Sequence, residues 1–337
     1  MSNQATPSKT VSKTVLVTGA TGFIGRHLLP ALFQVDWRTI AAVRHQDYPP
    51  FSVPVSAGVV GEIDGQTDWA AALEGVETVV HLAARAHQIK ETSLDPEGDF
   101  QRVNVHGTAR LVKQCVESGV KHFVLISSIG AMATLSATRL TAESPCRPDT
   151  PYGRSKLDAE KALIELAGDA LTWTIIRPTL VYGPGNPGNM ARLIKLVGTG
   201  LPLPFGAIDN RRSFIYVGNL VDVIVQTMTH PQAIDQVFLA SDGEDLSTPA
   251  LIKALADCAG KPCQLLEVPP GLLRLGGRLG DGLQAVLGRP IGLSSETMER
   301  LMGSLFVDNG KLRSRLGWQP PYSLEAGLQC TFNFTTH

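Results

Sequence analysis

Thr18-Gly19-Ala20-Thr21-Gly22-Phe23-Ile24-Gly25 is the stretch that decides the fold. The apolar run Val15-Leu16-Val17 before it reads as a strand, and Arg26-His27-Leu28-Leu29-Pro30-Ala31-Leu32 after it reads as the body of a helix. Strand, glycine turn and helix N-terminus in that order form an anion site, because the helix dipole and its unpaired N–H groups point above the turn. Gly19, Gly22 and Gly25 then take separate tasks: a tight turn, close approach of a pyrophosphate, and close helix–strand packing. The spacing is G-x-x-G-x-x-G instead of G-x-G-x-x-G, and three glycines at a helix start are alone only a turn. The flanking strand and helix make dinucleotide binding the reading.

A length of 337 residues corresponds to about two domains. With 43% hydrophobic residues the chain can bury a sizeable core. The formal net charge of -1 gives no electrostatic reason to expect nucleic acid as a partner. Five cysteines (115, 146, 258, 263 and 330) form no C-x-x-C pair, which points to reduced thiols in a cytoplasmic protein and against a zinc site. No apolar run reaches the ~18 residues of an integral membrane segment. Residues 1–13 are polar apart from single apolar positions and read as a disordered tail.

Beyond the first helix, short apolar runs alternate with helical patterns. Strands are expected at Thr39–Val43, Val59–Val60, Thr78–Leu82, Phe123–Ile126 and Trp173–Ile176; helices at Trp69–Leu73, Phe100–Gly119, Tyr152–Ala167 and Met190–Val197. This alternation predicts an α/β protein of Rossmann type, a doubly wound parallel sheet covered on both faces. Ile215–Val217 and Val237–Ala240 read as strands returning to that sheet. The expected division is a dinucleotide-binding domain of residues 14–181 plus about 214–241, with a smaller interleaved lobe of 182–213 plus 242–335 for the substrate. The apolar helix from Leu272 to Leu287 reads as core or dimer surface; Arg274, Arg278 and Asp281 interrupt any long apolar face, and peripheral membrane attachment stays open.

Tyr152-Gly153-Arg154-Ser155-Lys156 sets a tyrosine and a lysine four residues apart on one helix face. A phenol with a pKa near 10 is a poor base at neutral pH, and a neighbouring ammonium favours its phenolate. Ser128, 24 positions earlier at a strand end, offers a hydroxyl to the same substrate oxygen. Y-x-x-x-K is common by chance, but here it stands in an ordered series. TGATGFIG is followed by His81-Leu82-Ala83-Ala84, Asn104-Val105-His106-Gly107-Thr108, Ser127-Ser128, YGRSK, Arg177-Pro178 and Tyr182-Gly183-Pro184.

The series resembles the extended short-chain dehydrogenase/reductase family of nucleotide-sugar epimerases, dehydratases and reductases, over roughly residues 14 to 320. It is similar to UDP-hexose 4-epimerases and 4-keto-sugar reductases in particular, through residues 203–213 and 241–249. The resemblance implies NAD(P) as cofactor and a UDP-sugar as substrate. Tyr152 is then the acid/base, Lys156 lowers its pKa and holds the nicotinamide ribose, and Ser128 assists. Gly19, Gly22, Phe23, Ile24 and Gly25 form the cofactor turn; Glu62 and Ile63 form the adenine pocket. Leu82, Ala83, Ala84, Asn104 and Pro178 frame the rest of the cofactor. Arg212 clamps the sugar-nucleotide diphosphate, with Asn189 and Arg300 nearby, and His87 reaches toward the sugar. A homodimer through the two long helices of the first domain is a family expectation.

The chain departs from the family pattern in three places. Glu62 stands where aspartate is usual, and Ile129-Gly130-Ala131-Met132-Ala133 replaces an aromatic-rich run after the serine. The acidic residue for the adenosine ribose is missing, and Arg44 stands 19 residues after Gly25 at the end of the second strand. Arginine there accommodates a 2′-phosphate, so NADPH is expected in preference to NADH. With the less polar pocket, this favours reduction of a UDP-4-keto-6-deoxy-hexosamine. The alternative is a UDP-glucose or UDP-N-acetylglucosamine 4-epimerase, and the alternative of another class is a non-catalytic NADP(H)-binding sensor. His81 reads as a structural residue at its strand end.

Overall fold

The computed structural model describes residues 13–86, 95–186, 189–287 and 294–335. The expected tail and His87 lie outside these residues, apart from Lys13, whose carbonyl accepts from Arg38 N and continues the first strand pair. Seven parallel strands form the main sheet in the order β3-β2-β1-β4-β5-β6-β9. They are β1 (Thr14–Thr18), β2 (Arg38–Val43), β3 (Ser56–Val59), β4 (Thr78–His81), β5 (His122–Ile126), β6 (Thr172–Pro178) and β9 (Gln236–Ala240). Every residue of β1, β4 and β5 is buried, as strands covered by helices on both faces require. The chain winds from β1 outward to β3 and then crosses to β4, so the topological switch point lies above β1 and β4. There Thr18 is in register with His81.

Helix α1 (Phe23–Gln34) follows β1 directly. A short helix α2 (Ala70–Leu73) precedes β4. The helix expected at Phe100–Gly119 is three segments: α3 (Pro96–Phe100), a wider π-helical stretch (Gln101–His106), and α4 (Gly107–Glu117). Helix α5 (Pro151–Ala167) has local reasons for both ends. Thr150 Oγ1 accepts from Gly153 N, Pro151 takes the first turn, and Gly168 ends it at φ +49°.

Ile215–Val217 does not rejoin the main sheet. Strand β8 (Arg212–Tyr216) pairs with β7 (Leu180–Tyr182) and β10 (Asp245–Leu246) in a separate three-stranded sheet, and Val217 begins helix α7 (Val217–Thr227). The apolar pattern permits either placement, because alternation specifies two faces and not which sheet supplies them. Here Ile215 packs into the core of the first domain, while Phe214 and Tyr216 pack into that of the second lobe. The small sheet therefore joins the two cores. The lobe is completed by α6 (Asn189–Gly198), α8 (Thr248–Ala259), α9 (Pro270–Leu287), α10 (Ser295–Met302), α11 (Gly310–Leu316) and α12 (Leu324–Thr335). α11 lies against β9 and not against the lobe's own core.

Candidate active site

Gly19 adopts φ +66°, and a Cβ there would lie 2.8 Å from Ala83 N, so only glycine lets the ends of β1 and β4 approach this closely. At Gly25 a Cβ would stand 2.4 Å from Gly19 O and 2.6 Å from Ala20 O. No side chain caps α1 at Gly22 and no acid sits in its first turn, so its amide donors face outward over the switch point. These features fit a dinucleotide pyrophosphate. Phe23 and Ile24 open the helix, but their side chains pack into the lobe core and the first-domain core respectively. Ile63 abuts the start of α4 at Gly107, Leu82 packs on the first-domain core, and Pro178 is buried at the end of β6. Ala83 and Ala84 remain partly open at the strand end.

Arg44 and Glu62 meet: the guanidinium donates to Glu62 Oε1 at 3.4 Å, and both side chains are exposed. A carboxylate therefore stands at the strand end where the sequence places only an arginine. Glu62 comes from the loop after β3, beside β2 in the sheet but 18 residues away in sequence.

His81 is buried and bridges Thr18 and Thr108 at 2.7 and 3.0 Å. Burial, with Lys156 nearby, pushes its pKa down to about 3, so it is a neutral strut between β1, β4 and α4. Asn104 lies in the π-helical stretch. Its Oδ1 accepts from Arg85 N at 2.8 Å, and its Nδ2 donates to Arg85 O and to Ser155 Oγ at 2.9 Å. Ser155 in turn donates to Tyr152 O. Asn104 thus fastens the loop after β4 to α5.

Tyr152 is half-buried at the start of α5 with the Ser128 hydroxyl as hydrogen-bond partner. Burial raises the phenol's pKa and the Ser128 hydrogen bond opposes this. Lys156, one turn on, donates from Nζ to Ile126 O at 2.7 Å; burial lowers its pKa to about 8 and the Glu160 carboxylate acts against that. In this structure the lysine is therefore engaged with β5. Gly153 is a requirement that the Y-x-x-x-K spacing does not show. A Cβ there would lie 2.2 Å from Gly130 O, so α5 can reach Ser128 only through a glycine.

Ser128, Gly130 and Tyr152 line a cavity of about 540 Å³ together with Arg212 and Arg300. Arg212 Nη1 donates to Arg300 O and Gly303 O at 2.7 and 3.0 Å, which fixes β8 against α10. The Arg300 side chain pairs with Glu296 at 2.6 Å. The side chain of Asn189, like all of His87, lies outside the described residues. The cavity also takes in Arg192 and Phe205, which sequence reasoning missed as site residues. Arg192 lies three residues after Asn189 and Phe205 in the stretch quoted for the resemblance, so position near those motifs was the available signal. Among the described residues, no group of His, Cys, Asp and Glu is arranged to hold a metal ion, and no helix is long and apolar enough to cross a membrane.

The family model for the NAD dependent epimerase/dehydratase family matches residues 15–240. This chain belongs to that family. A UDP-glucose 4-epimerase of Vibrio cholerae is 40% identical over 334 residues, covering 97% of this chain and 96% of the relative. An N-acetyl-alpha-D-glucosaminyl-diphospho-ditrans,octacis-undecaprenol 4-epimerase of Escherichia coli O157:H7 is 30% identical, covering 95% and 94%. Among solved structures, MoeE5 in complex with UDP-glucuronic acid and NAD superposes with TM-score 0.72 at 25% identity, over 96% of this chain and 99% of MoeE5. The epimerase/dehydratase assignment thus agrees with the seven-stranded Rossmann-type sheet and with Ser128, Tyr152 and Lys156 grouped at the end of β5.

Proposed function

We propose that this enzyme is a UDP-sugar 4-epimerase using NAD. The observation that carries the proposal is the near-complete match to a UDP-glucose 4-epimerase, supported by one cavity lined by Ser128, Tyr152 and two arginines, Arg212 and Arg300. Reduction of a 4-keto-6-deoxy-hexosamine is the weaker reading. It rests on Arg44 at the ribose end together with a less polar pocket, and Arg44 is paired there with Glu62. The 2′-phosphate preference loses its main support for the same reason.

In the proposed reaction Tyr152 accepts the proton from O4 of the sugar while a hydride leaves C4, giving a 4-keto sugar. NAD, whose pyrophosphate the Gly19–Gly25 turn would cradle and whose nicotinamide ribose Lys156 would hold beside the loop after β4, would supply the hydride acceptor and donor. Ser128 donates to the same oxygen. Once the keto sugar has turned over, hydride returns to the opposite face of C4 and Tyr152 returns the proton to O4. Arg212 and Arg300 hold the diphosphate, the fixed point about which the sugar rotates. The diphosphate is common to nucleotide and polyprenyl carriers, and UDP is proposed because it is the carrier named for the 40% relative. Dimerisation through α4 and α5 belongs to the same proposal.

The test incubates the protein with UDP-glucose or UDP-N-acetylglucosamine without added reductant, and separately with a UDP-4-keto-6-deoxy-sugar and NADPH. Conversion to the C4 epimers, with no net cofactor change, is expected. Stoichiometric NADPH loss with the keto sugar, and no epimerisation, would reverse the assignment.

A further inference from the structure

We propose that α9 is a membrane-docking helix that lays its outer face on an anionic lipid bilayer. The inference is independent of the reaction assigned above. Leu272, Leu275, Leu279 and Leu283 are 59%, 51%, 68% and 51% exposed. At 3.6 residues per turn these positions fall within an arc of about 80°, a single straight stripe. The opposite side of the helix is the packed one. Leu273 is buried in the lobe core, Gly277 sits against Ser295 and Met298 of α10, and Asp281 accepts from Ser295 N. The leucines are therefore a face left over after α9 has met its neighbours.

Two arguments identify the occupant. The first is shape and area. Four leucines exposed by about half to two-thirds present only a few hundred Å², against the ~800 Å² per partner of a standard protein interface. The stripe lies along a convex rod, which a second copy covers only with a matching groove; an acyl–headgroup boundary conforms to it without one. The second is charge. Arg278 borders the stripe, where its apolar stem extends the face and its guanidinium group reaches headgroup level. Arg274 is tied to Glu299 at 3.4 Å, but Arg278 makes no hydrogen bond or ion pair among the described residues.

The placement has a consequence for the site. α10, on the inner side of α9, contributes Thr297, Met298 and Arg300 to the cavity. Docking holds the cavity one helix layer, roughly 10 Å, from the lipid surface.

The experiment is co-sedimentation of the full chain with vesicles of phosphatidylcholine alone, or mixed with phosphatidylglycerol, at two salt concentrations. Wild type is expected to sediment with the anionic vesicles and to weaken at high salt. Leu275→Ser/Leu279→Ser, two exposed positions, is expected to lower binding by about tenfold or more while the thermal midpoint and far-UV circular dichroism stay at the wild-type values. Arg278→Glu should remove most of the preference for anionic lipid. Wild type that ignores both vesicle types, or a double-serine variant that binds as well as wild type, overturns the proposal. So does light scattering that shows a wild-type dimer converted to monomer by the double-serine variant, which would assign the face to a second copy.

Discussion

Glu160 and Arg177 form an ion pair directly beneath the site, and breaking it is expected to cost far more than a surface pair. Arg177 Nε and Nη2 donate to Glu160 Oε1 and Oε2 at 3.0 and 2.6 Å. The side chains are 7% and 3% exposed, and Ser127 also donates to the carboxylate. Glu160→Gln keeps the shape but leaves a buried guanidinium without its counter-charge, which costs about 3–5 kcal/mol. At roughly 2–4 °C per kcal/mol for a large domain, the thermal midpoint should fall by on the order of 10 °C. Arg177→Met should cost about as much, since it strands the carboxylate. Combining the two as Glu160→Gln/Arg177→Met removes both charges, so the double variant should be much more stable than the sum of the single losses predicts. The assay is a double-mutant cycle by thermal or urea unfolding. Turnover should fall in Glu160→Gln as well, because Ser127 adjoins Ser128 and Lys156 lies one turn away on α5. A Glu160→Gln loss below about 1 kcal/mol, or strict additivity in the double variant, refutes the reasoning.

Tyr152→Phe should lower kcat by about 10²–10⁴ and leave dinucleotide binding intact, measured by turnover and by cofactor titration. Gly25→Ala should abolish dinucleotide binding, because its Cβ would enter within 2.6 Å of two fixed carbonyl oxygens in the turn; normal cofactor affinity would show the cradle is misassigned. Stability should fall as pH drops from about 6.5 toward 4. Burial lowers the folded pKa of His81 to about 3 and of His122 to about 4, so below 6.5 the unfolded chain takes up protons that the native state refuses. The expected slope approaches about 1.4 kcal/mol per pH unit for each histidine, and His122→Gln should remove one histidine's share in urea titrations at several pH values.

What was legible in the sequence follows from how local each determinant is. Gly19, Gly22 and Gly25 answer to steric demands within one turn, and Tyr152 and Lys156 to one helical repeat, so both motifs could be read directly. The parallel strands β1, β4 and β5 were legible because burial on both faces leaves an unbroken apolar run. β8 was misplaced because its alternation is satisfied by two cores at once. The Arg44–Glu62 pair was hidden for a related reason, since adjacency of β2 and β3 brings together residues that no local pattern links. The π-helical stretch that carries Asn104 has the sequence pattern of ordinary helix; periodicity in so short a window does not register one widened turn.

The central claim, epimerisation at C4 through a 4-keto sugar, is tested most directly with UDP-glucose deuterated at C4 in ordinary water. The account predicts UDP-galactose that retains the C4 deuterium, without added NADH or NADPH and with activity lost in Tyr152→Phe. Deuterium washed out of C4, or no UDP-galactose at all, would contradict it.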